Sequence, residues 1–187
     1  MLWSWPGADP PGWAAHPRRA CGETGAPLVE LTVEAVQGAA GVVVVGPAEL
    51  AVPAGVLRTR EDPPFSGPAA GIAAGLAALE ALPLADWTMT LACDMPEVAR
   101  AVPLLLGSAG AAPETDGHIG VTPDGRRQPL AALYRTEALR AAYADQDPTN
   151  RSVRSFTHDL LLQEVTVAED ATADVDTWDD VHKFRLS

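Results

Sequence analysis

One acidic residue stands where a predicted strand of apolar residues stops. Asp94 follows the apolar run 87–92, within the peptide Leu-Ala-Cys-Asp-Met-Pro of residues 91–96. In open α/β sheets ligands gather at the carboxyl ends of the strands. Mg²⁺ prefers oxygen ligands and takes only one or two of them from protein, so Asp94 is a candidate metal ligand and catalytic residue. The alternative is a helix N-cap, because Asp is favoured directly before a helix.

A loop with two glycines precedes a predicted helix. Residues 61–71 read Glu-Asp-Pro-Pro-Phe-Ser-Gly-Pro-Ala-Ala-Gly. Gly67 and Gly71 allow a ligand to approach the backbone closely, and a helix N-terminus favours anions. The alternative is a surface loop followed by a helix that Pro68 starts, and it explains these residues better when they are taken alone.

Charged residues near other predicted turns offer further contacts. Arg126 and Arg127 carry the charge and the fork geometry that bind phosphates, and Arg151 and Arg154 lie one helical turn apart. Solvation at the surface is the alternative for both pairs. Asp176 comes directly before a predicted helix, where it could start that helix or reach a metal.

An alternating scaffold must position these residues. Four consecutive valines, residues 42–45, lie between two glycines and predict a strand buried on both faces, as in a parallel sheet. Helices alternate with strands, so the sequence predicts an α/β fold with a mostly parallel sheet. The predicted helices are 28–37, 69–82, 97–106, 136–143, 152–162 and 177–184, and the predicted strands are 42–45, 56–58, 87–92, 118–121, 129–134 and 165–167, with a turn at Asp124-Gly125.

Composition limits the function classes. The chain has 187 residues, of which 47% are hydrophobic and 20% charged, which is typical of one globular domain. The formal net charge of -12 argues against a nucleic-acid partner, which requires a basic surface. Two cysteines are too few for a disulfide scaffold. No apolar run reaches the roughly 18 residues that span a membrane, and no secretory signal is present, so we expect a cytoplasmic protein.

Residues 1–26 differ from the rest of the chain. They contain three of the five Trp and four Pro, and they show neither strand nor helix periodicity. Such a segment forms regular structure poorly. We therefore divide the chain into an atypical, irregular segment, residues 1–26, and a single domain, residues 27–187.

From Pro27 onward, five segments in order resemble the molybdenum cofactor guanylyltransferase family of nucleotidyltransferases. The five matching segments are Val42–Gly46 as a strand, 67–71 (GPAAG) for the family's GPLAG, 92–96 (ACDMP) for its CDxP, 128–134 (QPLAALY) for its PL…LY, and 174–177 (DVDT) for its closing motif. No single motif is specific, but the five occur in the correct order and at the correct distances.

The resemblance implies a Rossmann-like, three-layer fold and an NTP-dependent reaction. A nucleoside monophosphate passes from an NTP, by resemblance GTP, to a phosphorylated acceptor, by resemblance molybdopterin, and pyrophosphate leaves. The resemblance also implies transient contact with proteins that handle the cofactor. It assigns Mg²⁺ to Asp94 and Asp176, the nucleotide to Arg60, Asp62, Gly67, Pro68 and Gly71, and the acceptor to Gln128 and Arg151.

The resemblance breaks before Pro27. The family begins with a strand and the loop LAGGxSxRxGGxDK, whose amides and lysine receive the triphosphate, whereas this chain has Lys183 as its only lysine. A reading frame shifted back by one nucleotide is compatible with LAGGRSxRLGG and a following lysine. In that frame the codon that overlaps Trp5 and Pro6 can encode only Ala, and the codon that overlaps Trp13 and Ala14 can encode only Gly, as the loop requires. The codon that overlaps Pro17 and Arg18 can encode Lys.

The shifted frame makes a structural prediction. If residues 1–26 are a wrong-frame reading, the sheet has a gap beside Val42–Val45. The alternative is coincidence, because G- and C-rich codons shifted by one base often encode Gly, Ala and Arg. A rival functional hypothesis is a non-catalytic protein with the nucleotidyltransferase fold that has lost its phosphate loop.

Overall fold

The computed structural model describes residues 28–82, 85–110 and 114–175. Within them, helices and strands alternate as the sequence predicts. The strands are β1 (Val43–Val45), β2 (Leu57–Thr59), β3 (Trp87–Leu91), β4 (Gly117–Val121), β5 (Arg127–Arg135) and β6 (Leu162–Thr166), and the helices are α1 (Leu28–Glu34), α2 (Gly67–Leu79), α3 (Val102–Ala109), α4 (Thr136–Tyr143) and α5 (Arg154–Thr157). Across these ranges, no helix is both long enough and apolar enough to cross a membrane.

The valine run forms a buried strand, as expected. All three residues of β1 are at most 1% exposed, and β1 pairs in parallel with β2. Side chains from the two faces of β1 enter different clusters: Val43 and Val45 pack with α2, whereas Val44 packs with α1. A strand that is covered on both faces needs apolar residues at every position, which is why the pattern does not alternate.

The other four strands form a second sheet in the order β3-β5-β4-β6. β4 and β5 make the expected hairpin, and Gly125 takes a φ of 84° in its turn. Because of this hairpin, β5 runs antiparallel to both of its neighbours, while β4 and β6 are parallel. The remaining strands of this sheet share one direction, opposite to that of β5.

Helices cover both faces of the sheets. One cluster joins β1 and β5 to α2, α4 and α5, with Ile72, Tyr134 and Leu139 fully buried at its centre. On the other face, α3 packs Val102 and Leu105 against β3 and β5. The chain therefore has the predicted Rossmann-like α/β architecture, with the sheets between two helical layers.

Two predicted helices are shorter than the sequence suggests. The helix predicted over 152–162 is only the single turn α5, because Leu162 pairs with Gly117 and starts β6. The helix predicted over 97–106 is a 3₁₀ turn at Val98–Arg100 followed by α3. Pro103 lies in the first turn of α3, where proline is tolerated. The closing helix, 177–184, and the segment 1–26 lie outside the described residues.

Within the described residues, no strand pairing joins the two sheets. In the described ranges, β1 pairs with β2 and with no other strand, and β3 pairs only with β5. The gap that the shifted reading frame predicts beside Val42–Val45 depends on residues 1–26, which lie outside the described residues, so it stays a prediction.

A buried histidine should make stability depend on pH. His118 is fully buried beside Trp87, with their ring centroids 5.5 Å apart, and burial and the charge of Arg135 lower the pKa of His118. Because the unfolded chain binds the proton more readily, the unfolding free energy should fall as pH drops below about 6.5, with a slope of at most about 1.4 kcal/mol per pH unit.

Urea unfolding between about pH 5 and pH 7.5 measures this effect. We expect His118→Leu to flatten the decline, and the matched substitution of the exposed His158, His158→Leu, to leave it unchanged. A decline of the same slope in the His118 variant would assign it to other groups.

Candidate functional site

Asp94 lies three residues beyond the end of β3. It is 9% exposed, and its backbone carbonyl accepts a hydrogen bond from Val175 N–H at 2.8 Å. The N-cap hypothesis is wrong, since the cap position of the next helical turn belongs to Glu97. Asp94 is thus a buried carboxylate at the carboxyl end of a strand, as the metal hypothesis requires.

The pairing of β3 with β5 brings Gln128 to the same edge of the sheet. Ala92 N–H donates to Leu130 O at 2.9 Å, which continues the antiparallel register beyond Leu91. Gln128, near the start of β5, and Asp94, beyond the end of β3, therefore lie at the same end of the β3–β5 pair. Gln128 is 8% exposed, and its Nε2 has no hydrogen-bond partner in the described structure. A buried, unpaired amide is costly and is therefore a candidate ligand contact.

The loop before α2 is held by hydrogen bonds within itself. Glu61 is 5% exposed, and its Oε1 accepts a hydrogen bond from Phe65 N–H at 2.9 Å, while Ser66 Oγ donates to Pro63 O. Phe65 takes a φ of 66° and packs on the cluster that contains Cys93, the neighbour of Asp94. The loop therefore lies close to the end of β3. Sequence reasoning missed Glu61, because nothing in a proline-rich loop marks one carboxylate as its organiser.

The first residue of α2 contacts the segment that contains Arg151. Asn150 N–H donates to Ser66 O at 2.7 Å, and a Cβ added at Gly67 would lie 3.9 Å from Asn150 Cα and 4.0 Å from Arg151 O. The nucleotide loop and one acceptor candidate are therefore adjacent. Asn150, with a φ of 55°, is a second residue that the sequence analysis missed.

The N-terminus of α2 has no side-chain cap in the described structure. Ser66 occupies the cap position, but its hydroxyl bonds to Pro63 instead of the helix. Pro68 lies in the first turn, and Gly71 is buried one turn further on. The first-turn amides of this 13-residue helix thus lack a capping side chain and present a partial positive charge.

The charged candidates differ in their contacts. Arg60 lies over the ring of Phe65 at 4.9 Å, and Asp62 is exposed in the same loop. Arg151 donates to Gln146 at 3.0 Å and lies over the ring of Phe156 at 4.3 Å. These contacts fix the directions of Arg60 and Arg151.

Other candidates lie outside the site or outside the described residues. Arg127 forms an exposed ion pair with Glu164 at 2.8 Å, which favours the surface interpretation for this arginine. Burial raises the pKa of Cys93 to about 12, so its thiol is a packing group rather than a nucleophile. The described residues hold no group of three or more His, Cys, Asp or Glu that could bind a metal. Asp176 lies outside the described residues.

Sequence comparison identifies a family over most of the chain. The model of the MobA-like NTP transferase domain matches residues 22–165. No curated protein sequence is significantly similar to the chain.

Solved structures with the same fold include a cytidylyltransferase and a molybdopterin-guanine dinucleotide biosynthesis protein. The first is 2-C-methyl-D-erythritol 4-phosphate cytidylyltransferase from Thermus thermophilus, with a TM-score of 0.63 and 18% identity over 98% of this chain and 96% of that one. Molybdopterin-guanine dinucleotide biosynthesis protein A from Archaeoglobus fulgidus gives a TM-score of 0.60 and 21% identity over 90% and 88%. A Mycobacterium tuberculosis protein solved in complex with manganese gives a TM-score of 0.64 and 14% identity over 90% and 91%.

We expect position 67 to require glycine because of its backbone conformation. Gly67 has a φ of 87°, a region that costs an L-residue about 1–2 kcal/mol. Gly67→Ala should therefore lower the unfolding free energy by about 1 kcal/mol, although the added Cβ has room. In contrast, Gly107→Ala, in α3 with nothing within 4 Å of the new Cβ, should raise it by about 0.5–1 kcal/mol.

Denaturant unfolding of both variants measures the difference. Equal effects of the two substitutions would show that the positive φ is not what requires glycine at position 67.

Proposed function

Because the chain belongs to the MobA-like NTP transferase domain family and is a nucleotidyltransferase, we propose that it transfers a nucleoside monophosphate from GTP to the terminal phosphate of molybdopterin, with loss of pyrophosphate. The proposal includes a cytoplasmic location and transient contact with proteins that handle the cofactor. The observation that supports it is that buried Asp94 and Gln128 lie at the same end of the β3–β5 pair, where the loop before α2 packs through Phe65 on the cluster that contains Cys93.

Asp94 suits a divalent cation bound to phosphates. Mg²⁺ takes one or two protein carboxylates and completes its shell with water and phosphate oxygens, so a single buried carboxylate fits without a larger cluster. Asp176, the residue after Val175, is the proposed second ligand, because Val175 N–H bonds to the Asp94 carbonyl. When bound, Mg²⁺ neutralises phosphate charge and orients the in-line attack. The manganese complex of the mycobacterial structure supports a divalent cation in a protein of this fold.

We assign the nucleotide to the loop and first turn of α2. The N–H groups of Gly67, Ala69 and Ala70 form a helix N-terminus that attracts anions. Pro68, which has no N–H, starts the helix there, and Gly71 leaves room for the ligand one turn further on. Arg60 is held over Phe65 at the entrance to this loop. Its charge would meet a phosphate, and exposed Asp62 would accept a hydrogen bond from a hydroxyl or a base.

We assign the acceptor to Gln128 and Arg151. Gln128 offers buried Nε2 donors, and Arg151 offers a guanidinium held against the ring of Phe156. The backbone of Arg151 is close to Gly67. An acceptor phosphate held between Gln128 and Arg151 would therefore lie beside the proposed nucleotide site, as in-line transfer requires.

The proposed base and the proposed acceptor rest on similarity to other proteins. GTP and molybdopterin follow the resemblance and the Archaeoglobus structure, whereas the Thermus structure is a cytidylyltransferase. Isothermal titration calorimetry with Mg²⁺ and either GTP or CTP distinguishes them. We expect saturable micromolar binding of GTP and at least about tenfold weaker binding of CTP, a difference of about 1.4 kcal/mol.

The same titration tests the non-catalytic alternative. That alternative is favoured by the absence of a lysine before Lys183. Absence of binding by every NTP in the presence of Mg²⁺ would support a scaffold role for the polypeptide as written.

Asp94→Asn tests the proposed catalytic residue. The substitution keeps the size of the side chain but removes its charge, so we expect loss of at least about 100-fold in Mg²⁺-dependent transfer, on the scale of one lost electrostatic contact, with an unchanged melting temperature. Asp86→Asn is the matched control, because Asp86 is exposed at the opposite end of β3.

The measurement is pyrophosphate release as a function of Mg²⁺ concentration. An Asp94 variant that keeps full Mg²⁺ dependence would remove this residue from the mechanism. Loss of the folded state would indicate a structural role instead.

A further inference from the structure

Both arginines of the proposed site lie over phenylalanine rings. Arg60 Cζ is 4.9 Å from the centroid of the Phe65 ring, and Arg151 Cζ is 4.3 Å from that of Phe156. Both distances are within the roughly 6 Å over which the face of an aromatic ring attracts a cation. One pair belongs to the loop before α2 and the other joins α5 to the segment before it, so each pair can be tested separately.

The ring of Phe156 is fixed by the packing of the domain. Phe156 is 4% exposed, and its ring stacks on that of Tyr143, the last residue of α4, with centroids 4.3 Å apart and planes at 11°. Both rings belong to the cluster that contains Leu139 and Val153. Because a ring packed in this way cannot turn to follow a half-buried arginine, the ring sets the direction of the Arg151 guanidinium.

A hydrogen bond holds the same guanidinium from a second side chain. Arg151 Nη1 donates to Gln146 Oε1 at 3.0 Å. The amide of Gln146 and the ring of Phe156 are both uncharged, so these contacts restrain the guanidinium without neutralising it. A charged group that is already restrained loses less conformational entropy when a ligand binds.

The restrained arginine borders the proposed nucleotide site. Asn150 N–H bonds to Ser66 O, and the carbonyl oxygen of Arg151 is 4.0 Å from a Cβ built at Gly67. The planar guanidinium offers two parallel N–H donors, which match two oxygens of one phosphate group. A terminal phosphate monoester is therefore the ligand class that this arrangement suits.

We propose that Phe156 is a positioning residue for the acceptor: its ring holds Arg151 in the direction in which the guanidinium meets the acceptor phosphate. Phe65 has the corresponding role for Arg60 and the nucleotide. The proposal rests on the proposed function, which assigns Arg151 to the acceptor and Arg60 to the nucleotide. Phe156 acts through Arg151 and does not itself contact the substrate.

Packing is the competing role for Phe156, and truncation does not separate the two roles. Phe156→Leu would remove the ring face and also disturb the cluster around Tyr143. Replacement of Phe156 by 3,4,5-trifluorophenylalanine keeps the shape of the ring but withdraws the negative charge from its face, on which the attraction of a cation depends. The same replacement at Phe65 is the matched control, because that ring lies under the other arginine.

NMR of the full-length protein tests the proposal without any transfer reaction. The Nε–Hε signal of Arg151, assigned by its loss in Arg151→Lys, is followed while inorganic phosphate is added. We expect saturable shifts, with a dissociation constant that rises about 3-fold to 30-fold when Phe156 is fluorinated, on the scale of one cation–π contact. Fluorination of Phe65 should leave this constant within about twofold.

Three results of the titration would overturn the proposal. The first is an Arg151 signal that phosphate does not shift, and the second is an unchanged dissociation constant after fluorination of Phe156. The third is an equal rise after fluorination of Phe65, because the effect would then not belong to the ring under Arg151.

Initial rates with GTP and molybdopterin varied separately provide the second test. Fluorination of Phe156 should raise KM for molybdopterin by about 3-fold to 30-fold and leave kcat and KM for GTP within about twofold, whereas fluorination of Phe65 should raise KM for GTP. A fall in kcat alone, or an equal rise in both KM values, after fluorination of Phe156 would indicate a packing role and overturn the proposal. Absence of any transfer would contradict the proposed function, and the phosphate titration would still decide the role of Phe156.

Discussion

The pairing of buried backbone groups is the constraint on which this structure depends. Helices cover the sheets on both faces, so water cannot satisfy the N–H and C=O groups of strands such as β1 and β3, and each must bond to a neighbouring strand. This requirement fixes the register of β3 against β5, and the register carries Asp94 and Gln128 to the same edge. A slip of one residue would turn every β5 side chain to the opposite face, so the candidate site is a consequence of strand pairing.

The loop that borders the site is ordered by uncharged contacts and one buried carboxylate. Glu61 fixes Phe65, Ser66 bonds within the loop, and Asn150 N–H ties the loop to the segment before α5. The proposed nucleotide and acceptor segments therefore share a backbone hydrogen bond. Arg60 and Arg151 are each stacked on an aromatic ring. The ring holds the guanidinium group in a defined direction and, unlike a carboxylate, does not neutralise its charge.

The net charge makes local electrostatics decisive. A formal charge of -12 produces a field that opposes a polyanion such as an NTP. In the proposed function, attraction comes from nearby groups: the N-terminus of α2, the two stacked arginines and a cation that Asp94 would hold. Because such contacts act over a few ångströms, the acidity of the chain argues against broad binding of nucleic acid and is compatible with one bound nucleotide.

The sequence by itself determined the valine strand β1, the strand-end position of Asp94, the turn at Gly125 and the helix that begins near Pro68. Each depends on neighbours within a few residues, through burial periodicity, turn conformation or a proline ring. Tertiary structure alone decided that Leu162 joins β6 rather than a helix, and that Glu61 and Asn150 organise the loop. These features depend on partners tens of residues away, such as Gly117 for Leu162 and Ser66 for Asn150. A local sequence pattern predicts how deeply a residue is buried. The backbone group to which that residue bonds is decided only when the whole chain packs.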